Sequence, residues 1–138
     1  MPFHSHGELK LWVENNIVFM EISGGWNLEK AKEFTYELNH TITPLVTPPF
    51  GAVGILHDDW MPTADAIPHL NEATRRAIMA GMVREAYVSS SRISSRVTES
   101  LVLPPDCNQY LSREFVNIDD AIQWVQYGLN PPASVVAD

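Results

Sequence analysis

The sequence predicts an α/β domain on a mostly parallel five-stranded sheet, with an N-terminal β-hairpin and four helices in the order β-β-α-β-α-β-α-β-α. Three observations carry this. Apolar runs rich in Val, Ile, Leu and Phe alternate with segments whose apolar residues recur every three or four positions. Phe50 to Leu56 reads FGAVGIL, a continuously apolar run that suits a parallel strand covered on both faces. Glu14-Asn15-Asn16 joins two strand-like runs by turn chemistry, because Asn tolerates positive φ.

Glu8 to Val13 and Ile17 to Ser23 form the hairpin, and Gly24-Gly25 breaks its second strand. Asn27 is an N-cap, followed by an apolar stripe at Leu28, Ala31, Phe34, Leu38, Ile42 and Leu45 that Pro44 limits. Pro48-Pro49 stiffen the approach to FGAVGIL, whose two glycines point to close helix packing. A second stripe follows at Ile67, Leu70, Thr74, Ala77 and Ile78, with Asp65 as N-cap, Pro68 in the first turn and Gly81 as left-handed C-cap. Val83 to Val88 is the next strand, and Ser89-Ser90-Ser91 cap a helix with Ile93, Val97 and Leu101 on its apolar side. Glu114 to Val116 is a short strand. Asn117 then caps a last helix, with Asp120 three residues on and apolar residues at Ile118, Ala121, Ile122, Val125 and Leu129. The ordered core is expected over 7–129, with 130–138 as a C-terminal tail.

The 138 residues match one domain able to bury a core without staples. A net charge of -8 repels phosphate backbones and anionic lipid, which argues against nucleic acid and membrane as partners. Cys107 is the only cysteine, so no internal disulfide can form. Met1 to Lys10 holds His, Gly and Glu where a signal peptide needs an apolar run, and no stretch approaches the roughly 20 apolar residues of a membrane span. A cytoplasmic location is expected.

The segments HGELKLWVENNIVFMEISGGWNLEKAKEF, HDDW, GMVREAYVSSS and FVNIDDAIQWV run from about Gly7 to Gly128. As an ensemble they resemble the SpoIIAA-like branch of the STAS superfamily, the sulfate transporter and anti-sigma-factor antagonist domains. The resemblance implies a bacterial cytosolic STAS-like domain that works by contacts with a protein or an apolar ligand, and it does not imply catalysis. The regulatory antagonists of that superfamily carry a phosphorylatable serine after the third strand. Here that stretch reads HDDWMPTADAIP, with Thr63 as its one hydroxyl, and a helix-capping role for Thr63 or Asp65 is the expectation.

Open α/β sheets place their sites beyond the carboxyl ends of the parallel strands. That rule gathers Gly24 to Asn27, His57 to Thr63, Ser89 to Arg92 and Asn117 onto one edge. The candidate binding residues are therefore Trp26, His57, Asp58, Asp59, Trp60, Met61, Thr63, Ser91 and Arg92. Trp60 and Met61 could form an exposed patch or the lid of an apolar pocket, whereas Trp26 could merely staple the first helix to the sheet. Ser91 and Arg92 favour an anion, against the simpler reading of a serine-capped helix. His57-Asp58-Asp59 leave a strand pointing in different directions, and His4 and His6 are isolated, so no metal or other cofactor is assigned. In the simpler reading Asp58 and Asp59 bond loop amides. Trp12 and Trp124 lie in periodic segments and are read as packing residues.

There is no nucleophile elbow, P-loop or Rossmann glycine pattern. A non-catalytic regulatory or protein-interaction domain without the usual serine ranks first, with a protein partner or a second copy as its target. A binder of a small apolar or amphipathic ligand at the same edge ranks second. It requires an apolar cavity near Trp26 and Trp60. A hydrolase using His57 with Asp58 or Asp59 is a remote third.

Overall fold

In the structure, a computed structural model that describes residues 7–89 and 109–130, the hairpin forms around two left-handed residues. Strand β1 (Glu8–Glu14) turns through Asn15 at φ 53° and Asn16 at φ 64° into the antiparallel β2 (Ile17–Ser23). These are the paired positive φ values of a tight hairpin. The Asn16 side chain also donates to the carbonyls of Thr47 and Pro49, at 2.8 and 2.9 Å, so the turn anchors the segment that leads into the next sheet strand.

Gly24, at φ 76°, redirects the chain into a two-residue strand β3 (Gly25–Trp26). Asn27 Oδ1 accepts the Lys30 N–H at 2.9 Å and opens α1 (Leu28–Glu37) as its N-cap. The expected apolar stripe ran on to Leu45, but the α-helix stops at Glu37. One π-type turn (Leu38–Ile42) and a 3₁₀ turn (Thr43–Leu45) follow. Leu38 and Ile42 stay buried through this change, whereas Leu45 is exposed. Pro44 has no N–H to donate to the His40 carbonyl and so limits the helical ladder, while the Leu38 carbonyl accepts both the Thr43 N–H and, at 2.8 Å, the Thr43 hydroxyl.

Strand β4 (Phe50–Leu56) runs parallel to β2 and leads to the two-residue β5 (Met61–Pro62), which pairs with β3. Helix α2 (Ala66–Ala80) begins after Asp65. That places Pro68 third in the helix, where its missing N–H costs nothing. Asp65 makes no side-chain cap bond; its carboxylate accepts from the Thr63 hydroxyl. Gly81, at φ 120°, ends α2 against Pro48. Strand β6 (Met82–Val88) then pairs with β4, and β7 (Leu111–Phe115) pairs with β6, both in parallel. The expected final strand began three residues later and reached Val116, which instead lies past the strand end and is exposed. Asn117 caps α3 (Ile118–Leu129) by accepting from the N–H groups of Asp119 and Asp120.

The five-stranded sheet has the order β1-β2-β4-β6-β7. Alternate residues of β2 and β4 serve two cores, as the two-residue strand period requires. Val18, Ile22, Ala52 and Leu56 meet α1 and α2 through Phe34, Leu38 and Leu70 on one face. Ile17, Phe19 and Val53 meet α3 through Ala121 and Val125 on the other. Burial of both faces explains why FGAVGIL shows no polar alternation. Three helices lie among the described residues; the expected helix with Ile93, Val97 and Leu101 falls outside them, as do His4, His6, Cys107 and the tail from 131 onward.

Candidate functional site

Parallel strands β2, β4, β6 and β7 end together at Ser23, Leu56, Val88 and Phe115, so the residues just past them share the carboxyl edge of the sheet. A cleft of about 440 Å³ lies there, lined by Ile55, His57, Asp58, Asp59, Ser89 and Val116 among others. A neighbouring cleft of about 360 Å³ is lined by Glu8, Lys10, Glu21, Ser23, His57 and Asp59. His57 and Asp59 border both, as expected for a loop leaving the central strand.

Backbone bonding sets the position of that loop. The His57 N–H donates to the Ile22 carbonyl at 3.0 Å and the Trp60 N–H to the His57 carbonyl at 3.0 Å, which closes a turn around Asp58 and Asp59. Asp59 Oδ1 accepts the Gly24 N–H at 3.1 Å, so this carboxylate bonds a loop amide and ties the end of β2 to the end of β4. The β3–β5 pairing adds bonds from the Met61 N–H to the Gly24 carbonyl and from the Thr63 N–H to the Trp26 carbonyl, at 3.0 and 2.8 Å. His57 Nε2 lies 2.7 Å from Glu21 Oε2 on β2, with both side chains partly open to solvent. Among the described residues, no group of three or more His, Cys, Asp or Glu side chains converges as metal ligands would.

The candidate residues divide into two sets. His57, Asp58, Asp59, Met61 and Thr63 are exposed, and the first three line the clefts while Met61 and Thr63 line neither. Trp26 and Trp60 are buried, at 0% and 2% exposure, and pack edge to face with centroids 6.0 Å apart. Trp60 therefore presents no surface to a partner, and its membership of an exposed patch is corrected. Its ring turns under the β3–β5 roof because an indole gains more from burial against Trp26 than from exposure in a turn. A cavity of about 60 Å³ lies beside both tryptophans, bordered also by Ile22, Phe34 and Leu56. Ser91 and Arg92 lie outside the described residues.

Three edge residues escaped the sequence reading. Glu21 sits in a strand and pairs with His57 across a parallel register that strand-level patterning does not fix. Val116 was placed inside a strand. Ser23 was read only as a strand end. A sharper use of alternation along β2 would have flagged Glu21 as a charge between apolar neighbours.

No protein-family model matches the chain, and no curated protein matches it. Solved structures do. An uncharacterised protein of the DUF3478 family with a SpoIIAA-like fold, from Shewanella loihica PV-4, aligns over 91% of this chain and 98% of its own at 16% identity and a TM-score of 0.60. An anti-sigma factor antagonist from Mycobacterium paratuberculosis aligns over 91% and 99% at 10% identity and a TM-score of 0.59. The Bacillus cell fate determinant SpoIIAA in its phosphorylated form aligns over 86% and 99% at 15% identity and a TM-score of 0.52. These alignments run over nearly the whole length of the three proteins, and this chain has the SpoIIAA-like fold.

Proposed function

We propose that this protein is a cytoplasmic regulatory or protein-interaction domain that docks a partner at the carboxyl edge of its sheet, without catalysis. The observation that carries the reading is the cleft of about 440 Å³ past β4, β6 and β7, where Asp58 and Asp59 stand beside Val116, an aliphatic side chain 81% exposed. Met61, 48% exposed on β5, adds a second apolar group to the same loop region. Glu8, Glu21, Asp58 and Asp59 outnumber the cations of the two clefts, and the chain as a whole carries -8. The partner that fits is a basic segment with an apolar side chain for the Val116 side of the cleft. The Mycobacterium neighbour and the unphosphorylated form of SpoIIAA are named as anti-sigma factor antagonists, which supports a protein as the target. Thr63 donates its hydroxyl to Asp65 at the start of α2, and we read it as a structural group of that corner rather than a phosphorylation switch.

The test places a photo-crosslinking amino acid at Val116 in one variant and at the exposed Tyr36 of α1 in another, in cells of the native host. The expected result is one partner, or a second copy of the chain, trapped from position 116 and not from 36. The double variant Asp58→Lys, Val116→Asp then binds the isolated partner at least about tenfold more weakly with an unchanged circular dichroism spectrum. Equal crosslinking from both positions, or unchanged affinity of the folded double variant, sinks the proposal.

A further inference from the structure

Strand β1 is an outer strand of the five-stranded sheet, and it lacks the features that keep an edge strand from pairing. All 7 residues pair with β2 in continuous register, so no bulge twists the edge away, and none is proline. The two-residue turn makes Glu14 and Ile17 the hydrogen-bonded pair that closes the hairpin. Bonded positions alternate from there, so Trp12, Lys10 and Glu8 turn their backbone groups toward β2, whereas Val13, Leu11 and Leu9 turn theirs outward. Among the described residues, no backbone bond reaches that outer side.

The side chains of β1 leave both cores half covered at this edge. Leu9, Leu11 and Val13 pack on the core beneath α1 and α2, yet each stays partly exposed. On the other face Glu8, Lys10 and Glu14 are exposed around Trp12, whose ring stacks on Phe19 with centroids 5.3 Å apart and planes 6° from parallel. Trp12 Nε1 donates to Glu14 Oε2 at 2.9 Å, which holds that carboxylate beside the ring.

We propose that β1 pairs antiparallel with β1 of a second copy about a two-fold axis at Trp12, joining the two sheets into one. Such an axis makes the contact self-complementary, and residues equally far on either side of it face each other. Leu11 then lies opposite Val13 of the second copy, and the outward backbone groups of this pair exchange both N–H···O bonds. Lys10 lies opposite Glu14 of the second copy, and Glu14 opposite Lys10 of the second copy, so the one cation of the strand meets a carboxylate on each side of the axis. Trp12 meets Trp12 of the second copy, which continues the aromatic stack across the axis. Neighbouring registers fit less well. An axis at Leu11 sets Glu8 against Glu14, and one at Lys10 sets lysine against lysine. An axis at Leu9 matches Glu8 with Lys10 but leaves Trp12 and Val13 without apolar partners. The cleft beside Val116 lies past β7, at the far side of the sheet, so this contact and the docking proposed above are separate surfaces.

Sedimentation equilibrium of the full chain, taken into the high micromolar range, tests the pairing. The wild type is expected to sediment as a dimer. Lys10→Glu and Glu14→Lys each set like charges opposite one another and are expected to weaken dimerisation at least about tenfold. An equimolar mixture of these two variants dimerises again, because their reversed charges complement each other across the axis. Glu8→Lys, outside the pairing, leaves the dimer in place. Circular dichroism checks that each variant is folded. A wild-type monomer throughout this range overturns the proposal, as does a dimer indifferent to both reversals or a mixture of the two variants that stays monomeric. A dimer broken by Glu8→Lys and kept in Glu14→Lys overturns the Trp12 register.

Discussion

Glu85 illustrates how one residue can set the pH response of a domain. Its carboxyl is buried between apolar side chains and holds its proton more tightly in the folded chain than in the unfolded one. Below about pH 4.3 both states are protonated and the group adds no slope. As pH rises, the unfolded chain releases its proton first, so stability falls until the pH passes the raised folded value, and it is level above. Each tenfold difference in proton affinity between the two states corresponds to about 1.4 kcal/mol. Glu85→Gln keeps an acceptor for Tyr110 and is expected to remove this slope, leaving the variant more stable than wild type on the alkaline side. Urea denaturation midpoints from about pH 4 to pH 8 check it. Nothing in the sequence marked this residue, because its strand mixes buried and half-buried positions, with Arg84 half-buried next to the buried Glu85. Its partner Tyr110 was not legible, because 25 residues separate them. The burial of Trp60 was equally hidden, since a tryptophan in a short loop reads the same whether its ring turns inward or outward. Gly51 met the expectation of close helix packing and Gly54 did not, a distinction only atomic distances make.

Helix starts are where local chemistry and structure agree most closely. Asn27 and Asn117 each accept backbone N–H groups of their helices, whereas Asp65 accepts from Thr63 and caps nothing. Asn27→Ala and Asn117→Ala are expected to lower unfolding free energy by about 1 kcal/mol each, and Asp65→Ala by clearly less. Chemical denaturation of the three variants against wild type measures the difference. The longer strands and the helix stripes were legible because period 2 and period 3.6 repeat several times within them. Strands β3 and β5, of two residues each, carry no period at all, and only tertiary pairing creates them. The π-type turn after Glu37 escaped for a related reason: Leu38 and Ile42 keep helical spacing, and the change lies in the backbone bonds rather than in the apolar pattern.

At the scale of the molecule, strand order brings the carboxyl ends of β2, β4, β6 and β7 to one end of the sheet, where the clefts lie. The rule that parallel strands end together gathered the candidate residues there; His57, Asp58 and Asp59 line the clefts, whereas Met61 and Thr63 line neither. Deciding which of them face solvent needed the fold. The excess of carboxylates around the two clefts also has a kinetic side. A cationic partner is drawn toward Asp58, Asp59, Glu21 and Glu8 before any apolar group is desolvated, so attraction acts on the diffusional encounter and packing acts on dissociation. Raising ionic strength shortens the reach of that field to about 8 Å at physiological salt. Stopped-flow association with the partner is therefore expected to slow by about tenfold or more from low to physiological salt while the dissociation rate changes little. Under the docking proposed above, the acidic rim makes the speed of capture, rather than the lifetime of the complex, the quantity that ionic strength sets.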